Sequence, residues 1–365
     1  MLGRGARRTR ILATALLAAG IATWGALQVF AGTSGTAAAS PRLALTGLYS
    51  DIASHAVDPR NMPYSPQYPL WSDGATKRRW LFLPPGTSID ASDRDVWAFP
   101  AGTKIWKEFS FGGRRVETRL LEALAAGQWR FAAYAWNADE TDAVLVPPAG
   151  LHGAAEIRPG IRHDIPGVLD CRACHDDARR TEVLGFGALQ LSSDRDPNAP
   201  HAEPPEPGMA TLESLIRRKL LRNYPAEWAE HPPRIPASSP TARAALGYLH
   251  ANCGNCHHPA GTLDSLSVLL RHGVVPGAGE AAMTAVNRTG RFRIPGVPPG
   301  GTFLLRPGDP EHSAIAFRVA TRDPFRQMPP LGTKIADPEA VPLIERWIRE
   351  DLPAEAGRPS GETTH

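Results

Sequence analysis

The sequence predicts a multidomain α+β chain: an N-terminal antiparallel β-rich, sandwich-like module followed by a mainly α-helical C-terminal half. Three observations carry this expectation. Between about residues 49 and 150, short aromatic or partly alternating runs are separated by turn signals rich in Pro and Gly. After Pro166 the apolar spacing changes to i, i+3, i+4, the spacing of one helix face. The length, 365 residues, is that of two to three domains at about 150 residues each. With 42% hydrophobic and 21% charged residues there is enough apolar material to bury a core, which excludes a mainly disordered chain. The 36 Pro and 34 Gly make it loop-rich without reaching the low-complexity range of about 25–30%.

The N-terminus reads as an export address. Arg4, Arg7, Arg8 and Arg10 precede an apolar stretch from Ile11 to Phe30, and a small-residue run ends in Thr36-Ala37-Ala38-Ala39-Ser40. This is the order of a secretory signal with an A-x-A-like cleavage site. The 20-residue apolar stretch is also long enough to serve as an uncleaved anchor, so residues 11–30 are a candidate membrane tether. Removing the presequence leaves 36 basic against 37 acidic side chains, so the formal charge of +3 belongs to the signal. No basic patch argues for nucleic acid, and no second apolar run argues for a membrane domain.

Three runs are expected strands: Trp80 to Leu83, Thr103 to Phe109 and Arg130 to Trp136. Pro84-Pro85-Gly86, Pro100-Ala101-Gly102 and Gly112-Gly113 punctuate them. Six of the nine tryptophans (Trp71, Trp80, Trp97, Trp106, Trp129, Trp136) lie in this region. Such density fits a core, and a platform for a polysaccharide or protein ligand is the alternative.

Three helices follow. One opens near Thr211 with Leu212, Leu215, Ile216 and Leu220 on one face. A second starts at the Ser239-Pro240 cap and runs through Asn252, its face of Leu246, Leu249 and Cys253 delivering that cysteine to the buried side. A third starts near Asp337-Pro338, with Pro342 pushing its start later, and turns Val341, Ile344 and Ile348 inward beside Trp347. Pro-rich connectors at 197–207, 231–236 and 295–301 separate them. Short helices on long, stiff loops need something besides a large core to organise them.

All four cysteines fall in two identical frames, Cys171-Arg172-Ala173-Cys174-His175 and Cys253-Gly254-Asn255-Cys256-His257. C-x-x-C-H is the attachment pattern of c-type haem. Cysteines at i and i+3 share one face of a helical turn, where each can form a thioether with a vinyl group. The histidine at i+4 then meets the iron from the same side. A zinc ribbon expects its pairs about 15–20 residues apart, whereas 78 residues separate Cys174 from Cys253. A thioredoxin-like dithiol needs no following histidine, and disulfides within the motifs would leave both histidines unexplained. The reading is two covalently attached haem c groups, with Cys171, Cys174, Cys253 and Cys256 as thioether sites and His175 and His257 as iron ligands.

The sixth ligand of the second haem is expected to be Met328, 71 residues after His257 in the stiff Gln327-Met328-Pro329-Pro330 loop. For the first haem Met209, His163, His152, His201 and Met62 are all candidates. His250 and His258 flank the second motif as expected surface or loop residues, and Asp194-Arg195-Asp196 reads as a turn. Arg306, Arg318, Arg322 and Arg326 could pair with propionates but are more commonly solvated.

These residues resemble a known family. Tyr248 to His257, Arg306-Pro307-Gly308-Asp309-Pro310 and Met328-Pro329-Pro330-Leu331-Gly332 resemble a class I-type cytochrome c domain. With Tyr68 to Gly74 and Glu117 to Leu121 ahead of them, the arrangement is similar to a family of bacterial dihaem c-type cytochromes. The resemblance covers most of the chain after about residue 65. It implies a periplasmic or envelope location and a distal methionine at Met328. The expected division is 1–39 as signal peptide or anchor, 40–160 as β-rich module and 161–236 as first haem region. The cytochrome c-like domain with the second haem then spans 237–352, and a polar tail spans 353–365. The expected role is single-electron transfer between exported redox partner proteins. The alternative is an oxidoreductase, peroxidase-like or other, whose first haem keeps an open position. A β-module that tethers the chain to a partner is the third reading.

Overall fold

The computed structural model describes residues 38–176, 183–259, 261, 263–274 and 282–356. The expected export signal and its apolar stretch at 11–30 lie outside the described residues. Among the described residues no helix is long and apolar enough to cross a membrane. The fold is mixed α+β. Its strands are β1 (Tyr49–Asp51), β2 (Ala56–Val57), β3 (Met62–Pro63), β4 (Thr76–Phe82), β5 (Ile89–Asp90), β6 (Lys104–Phe111), β7 (Arg114–Ala123), β8 (Trp129–Trp136), β9 (Ala143–Leu145), β10 (Leu151–Arg158), β11 (Ile161–Ile165) and β12 (Leu221–Arg222). Its helices are α1 (Val168–His175), α2 (Leu212–Arg217), α3 (Pro240–Asn252), α4 (Ala314–Ala320), α5 (Ala340–Glu350) and α6 (Leu352–Ala356).

The three expected strands are β4, β6 and β8. With β7 between β6 and β8 they form an antiparallel six-stranded sheet in the order β3-β4-β6-β7-β8-β9. Register fixes its faces, because directly opposed residues share a face. One face carries Trp80, Trp106 and Leu120 and packs on Leu43, Leu48 and Tyr49 from the preceding segment. The other carries Leu81, Ile105, Leu121 and Phe131 and packs on Phe186, Leu191, Leu212 and Leu215.

The sandwich-like expectation is therefore corrected: the remaining sheets have only two strands each. Both faces of the large sheet are apolar, and short turns, single strands and helices cover them. Five of the six tryptophans in this region are buried, and Trp129 packs edge-on against Phe99 with ring centroids 5.7 Å apart. The aromatic density serves packing.

Helix α3 has the expected bounds because Ser239 Oγ accepts from the Ala242 N–H at 3.0 Å and Pro240 occupies the first turn. Helix α2 is capped by Thr211 as expected, but it ends before Leu220, which packs beside it from the following turn. Helix α5 begins at Ala340, three residues after Asp337. The Asp337 carboxylate accepts from Glu339 N at 3.0 Å and Ala340 N at 3.1 Å, so the acid holds the first turn from outside it.

The β-rich and helical parts share cores. Tyr68 and Trp71 belong to the cluster built on Leu246, Leu249, Ile344, Trp347 and Ile348. The Tyr68 ring lies so close to Gly247 that a Cβ there would stand 2.0 Å from it. Trp71 donates from its backbone to Asn252 Oδ1 at 2.7 Å and from Nε1 to the Ile335 carbonyl at 2.8 Å. Asp73 accepts from Lys334 N and Ile335 N at 2.8 and 2.9 Å. The Tyr68 to Gly74 loop thus ties the sheet to α3 and to the approach of α5.

Candidate functional site

The first motif lies on α1, as its spacing requires. Gly167 is the N-cap, its own N–H donating to Asp170 Oδ2 at 2.9 Å. No larger residue fits there, because a Cβ on Gly167 would stand 2.3 Å from the Pro148 carbonyl. Helix α1 packs on β8. Cys171 meets the core of Leu121 and Phe131, and the His175 ring is 5.5 Å from that of Phe131.

The second motif follows α3 without a break. Cys253 caps the helix, and the His257 N–H donates back to the Cys253 carbonyl at 2.9 Å. A Cβ on Gly254 would stand 2.5 Å from the His250 carbonyl and 2.8 Å from Arg271 Cα. The segment around Arg271 clamps the motif: Leu270 N donates to the His257 carbonyl at 2.8 Å and Arg271 Nε to the Gly254 carbonyl at 3.1 Å. The two motifs are neighbours, since Cys174 and Cys256 lie within electrostatic reach of each other.

All four cysteines are free and half-buried. Burial pushes the Cys174 thiol up to about 11 and the Cys253 thiol up to about 12, and it raises Cys171 and Cys256 as well. A dithiol catalyst needs the opposite, a thiolate stabilised at neutral pH. Burial lowers the His257 imidazole and the nearby Val268 carbonyl offsets part of this; its Nδ1 is buried without a hydrogen bond of good geometry. Two neutral thiols and an imidazole on one turn, twice over, would fit a porphyrin attached through two thioethers and ligated by the histidine. Among the described residues no three His, Cys, Asp or Glu converge on a metal-ion site.

Met328 lies on a loop that returns to α4, its N–H donating to the Arg318 carbonyl at 2.8 Å. The Arg318 guanidinium reaches the His257 ring electrostatically and donates to the Arg326 carbonyl at 2.8 Å. Arg322 is held by the Val319 carbonyl at 2.9 Å, with its Nε buried and unpartnered. Arg306 and Arg326 pair with Asp309 and Asp323 at 3.6 and 3.4 Å.

Four of the five distal candidates for the first motif have close partners, and the fifth, His152, is exposed. Met62 Sδ accepts from Arg218 at 2.9 Å and Met209 Sδ from Glu206 N at 3.3 Å. His201 Nε2 donates to Asp337 at 2.8 Å while its Nδ1 lies 3.4 Å from Glu339, and the His152 side chain is 91% exposed. His163 Nε2 is 3.2 Å from Glu117 Oε1.

Of the flanking histidines, expected at the surface or in loops, His258 sits in a loop but is buried, and His250 lies on a helix. His258 is buried, with Nδ1 2.8 Å from the Pro259 carbonyl. His250 is half-buried on α3, where the His272 N–H donates to its Nδ1 at 3.1 Å. His250 and His272 line a recess with Arg271, Asn255 and Phe186, and burial lowers His250 to about 3 and His272 to about 4. Asp194-Arg195-Asp196 is a structural turn: Asp194 pairs with Arg234 and Arg243 at 3.2 and 3.1 Å.

Two groups of site residues escape a motif search. One is the buried Asp337 network, in which the acid also acts electrostatically on Tyr248, as Cys253 does. The other is a set of cations on the sheet face toward the first motif: Lys77, Arg79, Lys107 and Arg119. Their only sequence signal is charge at strand positions whose alternation places them on an apolar face. No family model matches the chain, and neither a curated protein nor a solved structure matches it.

Proposed function

We propose that this chain is an exported dihaem c-type cytochrome that passes single electrons between redox partner proteins of the periplasm or cell envelope. Its helical part, 237–352, is read as cytochrome c-like. The observation that carries the reading is the adjacency of two C-x-x-C-H turns, each with neutral, inward-set thiols and a histidine on the same turn. A haem on each turn supplies a reversible one-electron couple. The chain's own residues do the rest. Cys171, Cys174, Cys253 and Cys256 would hold the group covalently, where a dissociated cofactor would be lost, and His175 and His257 would ligate its iron. The loop around Met328 offers a thioether that favours the reduced state.

The engagement of Met62, Met209, His163 and His201 favours a second reading, an oxidoreductase whose first haem keeps an open coordination position. Carbon monoxide separates the two. A spectral shift in about half of the reduced haem supports the enzyme, and no shift supports the carrier.

A further inference from the structure

Strand register lines up three cations on the buried face of the sheet. Arg79 on β4 opposes Lys107 on β6, and Lys107 opposes Arg119 on β7. Adjacent strands are about 4.8 Å apart, so the row spans roughly two strand spacings. Lys77 stands on the same face one pleat away, opposite Phe109. Like charges placed directly opposite one another on a sheet repel, and this face is turned to the interior: Lys77 and Arg79 are each 6% exposed.

Among the described residues few anions lie close to the row. Glu117 is fully buried and takes Arg119, while Glu203 reaches Arg79 only at 3.9 Å. Lys77 donates to the Leu70 carbonyl at 2.7 Å, and Asp337, which also acts on it, is already occupied by His201 and the α5 cap. Arg79 Nη2 is buried with no partner. Lys107 and Arg119 both lie against the Phe109 ring, at 4.8 and 4.3 Å from its centre. Among the described residues these four basic side chains face Glu117 and Glu203, with Asp337 already committed elsewhere, and burial lowers Lys77 to about 7 and Lys107 well below the usual lysine range. Cations buried in this way are stable only when paired.

The geometry points to this row as a seat for two carboxylates, and the group within reach is the propionate pair of the porphyrin held by Cys171 and Cys174. Arg119 acts electrostatically on both of those cysteines, so one end of the row lies at the thioether side of that porphyrin. Lys107 and Arg79 continue the row away from it, where Arg79 can take a carboxylate through two parallel N–H bonds. The β-rich module is on this account a wall of the haem site. The inference rests on the dihaem reading.

The test uses the full-length matured protein from cells fed 5-aminolaevulinate with a 13C carboxyl, which labels the propionates. The haem count per chain is taken first: fewer than two overturns the dihaem reading itself. With two haems present, the redox-difference infrared spectrum should show labelled carboxylate bands that move in Lys107→Met and Arg79→Gln and return in Lys107→Arg. In the two charge-removing variants one haem should gain about tenfold in its oxidised-to-reduced ratio at fixed ambient potential, about 59 mV for one electron, while the other stays put. Labelled bands and both midpoints unchanged in the variants would overturn the seat. Arg79→Gln carries the test should Lys107→Met fail to accumulate.

Discussion

Replacing Asp337 tests how the helical half is held to the site. The carboxylate is fully buried and accepts from Glu339 N, Ala340 N and His201 Nε2, and it acts electrostatically on the buried Tyr248 hydroxyl. In Asp337→Ala the lost cap costs about 1 kcal/mol. Tyr248, 4% exposed, loses the polar group beside its buried hydroxyl, at about 1–3 kcal/mol. His201 is one-fifth exposed and partly rescued by water, which adds about 1 kcal/mol. The expected loss is about 3–5 kcal/mol in all, read as a fall of the denaturant midpoint at constant slope by circular dichroism. Asn is as good an N-cap as Asp and keeps one acceptor, so Asp337→Asn should lose about 1–2 kcal/mol. An Ala variant within about 0.5 kcal/mol of the parent, or an Asn variant as damaged as Ala, would refute the reasoning.

Met328→Leu should lower the midpoint of one haem and leave the other in place, because it removes a thioether that favours ferrous iron; two unchanged midpoints in a potentiometric titration would exclude Met328 as a ligand. Gly254→Ala forces a Cβ against backbone on two sides and should cost about 1–3 kcal/mol and reduce haem loading at the second motif. Gly187→Ala, with nothing within 4 Å, should leave both unchanged in the same gel and unfolding assays. His250 and His272 are held neutral in the folded chain, to about 3 and about 4, against 6.5 when unfolded. The unfolded chain therefore binds more protons below pH 6.5, and stability falls as pH drops from there toward 3, by up to about 1.4 kcal/mol per pH unit per histidine. His250→Gln should flatten that limb of the stability profile, and an unaltered limb would contradict the assignment.

Much of the fold was legible locally. Ser239-Pro240 and Thr211 are side-chain caps whose chemistry acts within three residues, so they set helix starts without help from the rest of the chain. The start of α5 was displaced because Asp337 caps it across Pro338. The motif turns were legible because i, i+3, i+4 spacing demands a helical turn, and both form one. What was not legible is long-range. Trp71 meets Asn252 and Ile335 across most of the chain, and nothing near any of the three announces it. The cations of β4, β6 and β7 come together only through strand register, which sets them opposite one another on an apolar face. The engagement of four of the distal candidates likewise depends on partners as distant as Arg218 for Met62.

The most direct test of the central claim is the covalent haem content of the purified full-length protein, read by the pyridine haemochrome spectrum against protein concentration and by haem staining after denaturing electrophoresis. Two haems per chain that survive denaturation are expected. Zinc by metal analysis with no visible absorbance, or one haem only, would contradict the account.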